Sequence, residues 1–151
     1  MRTLLTSFLF ASLTLAAGCA STSGKCADCD KAKSVVASVA AANPDVTRLT
    51  LHCSMADGMH TCASTDGSRV GKASDPEDVQ AVTTDQVVVL DEAGGIDVTV
   101  PINRKDGKPM SACGVTLKNG GMSRDQAVAK AKQIAMAVET GLGGACECCC
   151  K

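Results

Sequence analysis

The stretch HCSMADGMHTC, residues 52–62, contains two His, two Cys and two Met around one Asp-Gly pair. Thiolate, thioether and imidazole groups are the ligands that soft cations such as Cu(I) prefer. Paired cysteines in neighbouring strands can instead form a disulfide. Because Asp-Gly is a strong signal for a two-residue hairpin turn, we expect this stretch to fold as a hairpin with Asp57-Gly58 at its tip.

The expected hairpin brings four side chains to one face of the sheet. With the turn at residues 57–58, Cys53 lies opposite Cys62 and Met55 lies opposite His60, and alternation points all four the same way. Three outcomes are open for this set. They are a cross-strand disulfide between Cys53 and Cys62, free thiols in the core, or a Cys₂-His-Met site for a soft metal.

Further cysteines lie near both ends of the chain. A CxxC pair can form half of a zinc or copper site, and a Cys-rich tail can supply the other half or form local disulfides. We expect Cys113, which alternates with Val115 and Leu117, to be a buried thiol. The additional metal-site candidates are Cys26, Cys29, Cys146, Cys148, Cys149 and Cys150.

The sequence contains no recognisable catalytic set. It has no nucleophile elbow and no phosphate-binding glycine loop, and neither His has a carboxylate at a typical spacing. The carboxylates at Asp85, Asp91, Glu92 and Asp97 are interpreted as solvated ends of strands. The prediction is therefore a protein that is not an enzyme and has no cofactor, apart from a soft metal ion.

The amino-terminal segment, residues 1–18, has the pattern of a signal peptide. Arg2 precedes a short apolar run at residues 4–17, which is too short to span a bilayer comfortably and ends in small residues. The sequence LAAGC resembles a bacterial lipobox, in which Cys19 becomes the lipidated first residue of the mature chain; a plain cut after Ala20 is the alternative. The expectation is a cell-envelope protein held to the membrane by a lipid anchor and facing the periplasm or the exterior.

Charge and aromatic content limit the classes of partner. The formal net charge is -1, which gives no electrostatic basis for binding nucleic acid. The only aromatic residues other than His are Phe8 and Phe10, both in the signal segment. Recognition of a ligand by ring stacking or by cation–π contact is therefore excluded in the mature chain.

Periodicity predicts an α+β domain over residues 30–141, with a tether at 19–29 and a Cys-rich tail at 142–151. The spacing predicts a helix that ends at Asn43-Pro44, a short helix that begins at residues 74–78, and a terminal helix from the Ser123–Gln126 capping box to about Thr140, stopped by Gly141. Short connections favour an antiparallel sheet. The predicted strands are 46–55, 59–65, 86–90, 96–102 and 109–117.

Residues 47–140 resemble an extracytoplasmic Cache domain, the PAS-like sensor module of bacterial receptors. The similarity rests on ADGMHTCAST, SRVGKASDPED, GIDVTVPIN and RKDGKPMSACGVTLK, in that order. The resemblance implies a five-stranded antiparallel sheet in the order 2-1-5-4-3, with the N- and C-terminal helices packed on one face. It also implies a small-molecule ligand, such as an organic acid, on the other face beneath a crossover at residues 66–85.

The resemblance makes Arg69 and Lys72, in the crossover, the candidate cations for an acidic ligand. Two departures from receptor Cache domains stand out: the chain has no flanking transmembrane helices and output module, and it lacks the Tyr and Trp with which members bind amino acids. The first hypothesis is thus a ligand-binding sensor lipoprotein that works with a signalling partner. A soft-metal or thiol-redox envelope protein and a structural envelope lipoprotein are the alternatives.

Overall fold

The computed structural model describes residues 30–118 and 120–143, which form three α-helices and five β-strands. The predicted element types are confirmed, with ends shifted by a few residues. A short 3-10 turn, Gly67–Arg69, lies in the crossover. The elements in chain order are α1 (Asp30–Ala41), β1 (Val46–Met55), β2 (Gly58–Ser64), α2 (Pro76–Thr84), β3 (Val88–Glu92), β4 (Gly95–Lys105), β5 (Lys108–Lys118) and α3 (Arg124–Leu142).

The strands form one antiparallel sheet in the order β2-β1-β5-β4-β3. This order is the one that the family resemblance implied. Helices α1 and α3 pack against each other and against the sheet, whereas α2 contacts β3, β4 and β5. The α+β architecture with the terminal helices on one face is therefore confirmed.

The core lies between the sheet and the helices α1 and α3. Alternate residues of β1, β4 and β5 point into it, as expected for strands with one apolar face. Its largest fully buried members are aliphatic, since the described residues contain no Phe, Tyr or Trp. They include Leu49, Leu51, Leu117, Ile134, Val36, Val98, Val115 and Val138.

The register of the first hairpin differs from the prediction. The turn is formed by Ala56 and Asp57, so Cys53 lies opposite His60, and the prediction that Cys53 lies directly opposite Cys62 is wrong. The ladder is irregular between the pairs Leu51–Ala63 and His52–Thr61. Such a bulge lets two successive residues turn to the same side, and both Cys62 and Ala63 belong to the core.

The end of α3 also differs from the prediction. The capping box at its start is confirmed, since Ser123 N–H donates to Gln126 Oε1 at 2.8 Å and Gln126 N–H donates to Ser123 Oγ at 3.3 Å. However, the helix continues through Gly141 to Leu142 and is capped by Gly143, whose φ of 81° is left-handed. Gly141 instead allows close packing on α1, because a Cβ there would lie 2.8 Å from Val35 Cγ1.

Several predicted features lie outside the described residues. They are the signal segment 1–18, the lipidation site Cys19, and the terminal cysteines Cys26, Cys29, Cys146, Cys148, Cys149 and Cys150. In the part of the chain that the structure describes, no helix is both long enough and apolar enough to cross a membrane.

Candidate functional site

The sheet face opposite α1 and α3 is polar and mostly buried. Thr50, His52, Asp97, Thr99 and Thr116 are each no more than 7% exposed. These residues alternate with the core residues of the same strands, so the sheet is covered on both sides. Burial of so many polar groups requires that they be paired with one another or with a ligand.

The crossover covers this polar face because it pairs with the edge of β2. Thr61 N–H donates to Lys72 O at 2.9 Å, Gly71 N–H donates to Thr61 O at 2.8 Å, and Ser74 N–H donates to Met59 O at 2.9 Å. Helix α2 then continues the cover across β5, β4 and β3. The crossover at residues 66–85, which includes α2, is here called the roof. Backbone hydrogen bonds to β2 hold one end of it, and packing of α2 on the sheet holds the other.

His52 and Asp78 join the sheet to this roof. His52 Nδ1 lies 2.8 Å from Ser74 Oγ and 3.3 Å from Asp78 Oδ2. Asp78 Oδ1 accepts a hydrogen bond from Thr99 Oγ1 at 3.2 Å, and Asp78 Oδ2 accepts one from Asp75 N–H at 3.1 Å. The carboxylate thus links α2 to both β1 and β4.

Burial shifts the pKa values of these two groups in opposite directions. Desolvation, with a smaller contribution from the positive charge of Arg69, lowers the pKa of His52 from 6.5 to about 4. Desolvation raises the pKa of Asp78 from 3.8 to about 6. At pH 7 the imidazole is consequently neutral and the carboxylate is ionised, and between about pH 4 and pH 6 the pair holds one proton.

The trio of Ser74, His52 and Asp78 does not have the geometry of a nucleophilic triad. In such a triad the base binds the nucleophile through one ring nitrogen and the orienting carboxylate through the other. Here Ser74 and Asp78 both contact Nδ1 of His52. The contact between Ser74 and His52 therefore joins the crossover to the sheet and does not form a nucleophile–base pair of this kind.

Asp97 forms a second buried acidic group on the polar face. Its Oδ1 accepts a hydrogen bond from Thr116 Oγ1 at 2.5 Å and lies 3.5 Å from Arg48 Nη2. Burial raises the pKa of Asp97. The prediction of a solvated strand end is thus wrong for Asp97, because α2 and the crossover cover the face to which its strand position points it.

The other three predicted surface carboxylates are exposed and paired with basic residues. Asp85 binds Arg104, Asp91 binds Arg124, and Glu92 Oε1 accepts a hydrogen bond from Arg48 Nη2 at 3.0 Å. Arg48 was not singled out from the sequence, although it alternates with Thr50 and His52 on one strand. That alternation, together with the predicted roof, was the signal that could have identified it.

The two cations suggested by the resemblance occupy different positions. Arg69 contacts Asp75 and lines the space beneath the roof, and its buried Nε has no hydrogen-bond partner in the structure. Lys72 is exposed and lines neither of the two spaces described below. Of this predicted pair, only Arg69 therefore belongs to the buried polar cluster.

The space beneath the roof, here called the polar chamber, is nearly filled by the side chains that line it. Its volume is about 10 Å³, which is enough for about one water molecule. The expected hollow for a small-molecule ligand is therefore absent from this part of the described chain. The chamber is lined by Arg48, Thr50, His52, Arg69, Asp75, Glu77, Asp78, Asp97 and Gly114.

A larger space, here called the open cleft, lies at the neighbouring end of the sheet and has a volume of about 430 Å³. Arg48 lines both the cleft and the chamber. The β3–β4 turn forms a wall in which Gly95 leaves no room for a side chain, since a Cβ there would overlap the carbonyl oxygen of Leu117. The cleft is lined by Thr47, Arg48, Thr65, Asp66, Glu92, Ala93, Gly94, Gly95 and Thr116.

The four metal-site candidates in the first hairpin have different surroundings in the structure. Cys53 and Cys62 are core residues and Met55 packs against that core. His60 Nε2 lies 3.1 Å from Asp57 Oδ1, three residues away, so the expectation that neither His has a nearby carboxylate in the sequence is wrong for His60. Within residues 30–118 and 120–143, no group of three or more His, Cys, Asp or Glu side chains is placed to hold a metal ion.

Cys113 is a buried thiol, as predicted. It is fully buried, and this burial raises the pKa of its thiol to about 12 because the thiolate is disfavoured there. Since the thiolate is the nucleophile and the metal ligand, this shift disfavours reaction of Cys113 and metal binding by it at neutral pH.

Comparison with known proteins gives structural similarity without sequence similarity. No family model and no curated protein matches the chain. The GAF domain region of a Geobacter sulfurreducens protein has a TM-score of 0.50 and 13% identity, over 72% of this chain and 90% of that one.

Two further solved structures are similar over the same share of the chain. A GAF domain of an Acinetobacter phosphoenolpyruvate-protein phosphotransferase has a TM-score of 0.46 and 16% identity, covering 72% of this chain and 80% of that one. A type II free methionine-R-sulfoxide reductase from Thermoplasma acidophilum has a TM-score of 0.47 and 15% identity, with 72% and 89% covered. The chain accordingly has a PAS-like α+β fold of the kind found in GAF domains.

Proposed function

We propose that this protein is a non-enzymatic, ligand-binding sensor domain of the cell envelope, similar to Cache domains, whose open cleft binds a small molecule with a carboxylate group. The observation that carries the proposal is the open cleft of about 430 Å³ with Arg48 in its lining. A PAS-like fold alone does not define a function, so the argument rests on this site.

Arg48 is suited to bind a carboxylate. Its Nη2 group is the one that contacts Glu92 and Asp97. A guanidinium has five N–H donors in a planar fork, so donors remain for a bidentate contact with a ligand. Thr65 adds a hydroxyl group that accepts Leu49 N–H at 3.1 Å and still has its own hydrogen to donate.

The cleft is a better candidate than the polar chamber for the resting protein. A ligand that contacts Arg69 in the chamber would have to displace the roof, because the chamber holds about one water molecule. The cleft needs no such rearrangement, and its lining comes from strand ends and one tight turn. Arg69 remains a predicted ligand-binding residue for a state with an open roof.

The test of ligand binding compares two basic residues. Small carboxylates such as acetate, propionate and succinate are expected to raise the melting temperature of the full chain. At a hundredfold excess over Kd, binding adds about 2.7 kcal/mol to the free energy of unfolding. Arg48→Gln should abolish this shift and Arg48→Lys should weaken it, because Lys cannot bind bidentately. Differential scanning fluorimetry of the detergent-solubilised protein is the measurement.

Lys72→Gln is the matched control, since Lys72 is exposed and outside the cleft. It should respond to carboxylates as the unmodified chain does. Absence of a shift with every carboxylate, or an equal shift in Arg48→Lys and the unmodified chain, would refute the proposed site.

The proposed location in the cell envelope rests on the signal segment 1–18 and on Cys19. A lipid anchor there would hold the domain at the membrane, where a signalling partner could bind the ligand-free and ligand-bound forms differently. Cys19→Ser is expected to move the protein from the membrane fraction to the soluble fraction on cell fractionation, because the thioether to the lipid cannot form. Retention of this variant in membranes would contradict the tether.

A further inference from the structure

The open cleft contains more negative than positive charge. Arg48 is its one cation, whereas Asp66 and Glu92 are anions, and Asp97 contacts Arg48 from the chamber side. Building on the proposed function, we propose that the ligand is a small zwitterion, with its carboxylate on Arg48 and a protonated amine on Glu92 and Asp66. The ligand class is thus a compound of the α-amino-acid type.

A carboxylate without an amine is expected to bind this lining more weakly than a zwitterion. Arg48 Nη2 already lies 3.0 Å from Glu92 Oε1 and 3.5 Å from Asp97 Oδ1, so two carboxylates partly neutralise its charge. A ligand with a carboxylate alone would add a further negative charge next to them. A ligand that also has an ammonium group compensates Glu92 when its carboxylate takes up donors of Arg48.

Asp66 is placed to supply the second acidic contact. It is exposed at the start of the crossover, and its Oδ1 accepts Ser68 N–H at 3.0 Å. Hydrogen bonds from Ser68 lower the pKa of Asp66, so this carboxylate stays ionised at neutral pH. An ionised carboxylate accepts several hydrogen bonds, which leaves capacity for an ammonium group.

The absence of aromatic side chains makes the acidic residues necessary for recognition of an amine. Protein sites for cations often use the faces of aromatic rings, but this chain has aromatic rings other than His only at Phe8 and Phe10. In the cleft an ammonium group can therefore be neutralised only by carboxylates. The small wall residues Ala93, Gly94 and Gly95 provide no deep apolar pocket, which favours a ligand with a short side chain.

The experiment compares three compounds that share a carbon skeleton. Isothermal titration calorimetry of the full chain at pH 7 would use alanine, propionate and ethylamine. Alanine is expected to bind at least about tenfold more tightly than either of the others, which corresponds to about 1.4 kcal/mol. Glu92→Gln should remove most of this preference by weakening alanine and leaving propionate unchanged or tighter.

Matched variants separate charge from folding. Asp91→Asn changes the neighbouring carboxylate on the same strand, which is bound to Arg124 instead of Arg48, and should keep the preference for alanine. Asp66→Asn, at an exposed position, should lower alanine affinity in the same direction as Glu92→Gln. An undiminished preference for alanine in the Glu92→Gln, Asp66→Asn double variant would overturn the assignment of the amine.

The outcomes distinguish this inference from the proposed function. If propionate binds as tightly as alanine and Arg48→Gln abolishes binding, the zwitterion inference fails and the carboxylate site stands. If none of these compounds nor succinate binds, or if ethylamine binds most tightly, both the inference and the proposed carboxylate site fail.

Discussion

Replacing Asp78 with Asn is expected to make the free energy of unfolding fall as the pH drops from about 6.5 to about 4, by about 2–3 kcal/mol more than in the unmodified chain. The reason is that Asp78 and His52 contribute to the pH dependence of stability with opposite signs, and the variant retains only the contribution of His52. Over the same range, the contribution of the intact His52–Asp78 pair should be nearly independent of pH.

The opposing signs follow from the two pKa shifts. The pKa of His52 is lowered to about 4 on folding, so below its usual 6.5 the unfolded chain binds a proton that the folded chain does not, and stability is lost on acidification. The pKa of Asp78 is raised from 3.8 to about 6, so between these values the folded chain binds the extra proton, and stability is gained on acidification. The two windows overlap, and the contributions largely cancel.

His52→Gln is the reciprocal variant and should change the pH dependence of the free energy of unfolding in the opposite direction. Its free energy of unfolding should rise, relative to the unmodified chain, as the pH falls from about 6 to about 4, because only the Asp78 contribution remains. Urea unfolding of all three chains at pH 4–8 measures this difference. Asp97 and the exposed carboxylates titrate in all three chains, so their contributions cancel in the comparison. Parallel profiles would show that the pair is not linked to protons.

Gly95→Ala is expected to destabilise the fold by about 3 kcal/mol, as found for side chains forced into closely packed positions. Gly95 pairs with Glu92 and with Lys118, and a Cβ there would overlap the carbonyl oxygen of Leu117. The β3–β4 turn would have to move away from β5, which would also deform the open cleft. Urea unfolding and carboxylate binding are the two measurements.

Gly120→Ala provides the control for this substitution. A Cβ at Gly120 would meet no atom within 4 Å, and Gly120 is not among the glycines with positive φ. It should change stability by no more than about 0.5 kcal/mol. Equal stability of Gly95→Ala and Gly120→Ala would contradict the close approach of β4 and β5 at this point.

The sequence was sufficient to predict the element types and the class of the fold. Alternation in residues 96–102 and the apolar stripe that follows Ser123 are local patterns, so they could be read without knowledge of contacts. The strand order came from the resemblance to a PAS-like module, and the structure confirms it. The signal segment, Cys19 and the terminal cysteines remain predictions.

The first hairpin shows why the cysteine geometry could not be predicted. Asp57-Gly58 is a strong turn signal, but the turn uses Ala56 and Asp57, and a bulge then brings both Cys62 and Ala63 into the core. Register is decided by which side chains the whole sheet buries, and local turn preference is weaker than that burial. The disulfide between Cys53 and Cys62 was predicted because the two residues were expected to lie directly opposite each other. They do not, so the disulfide remains a prediction that the observed register does not support.

The sequence by itself determined the secondary structure, because hydrophobic period and capping residues act within a few positions of one another. Only the tertiary structure decided the candidate site. Arg48 and Glu92 are 44 residues apart and meet because β1, β5, β4 and β3 are neighbours in one sheet. His52 and Asp78 are 26 residues apart and meet because α2 packs over that sheet. No local pattern in the sequence specifies burial under the roof. This burial encloses the polar side chains of the sheet in the polar chamber and shifts the pKa values of His52, Asp78 and Asp97.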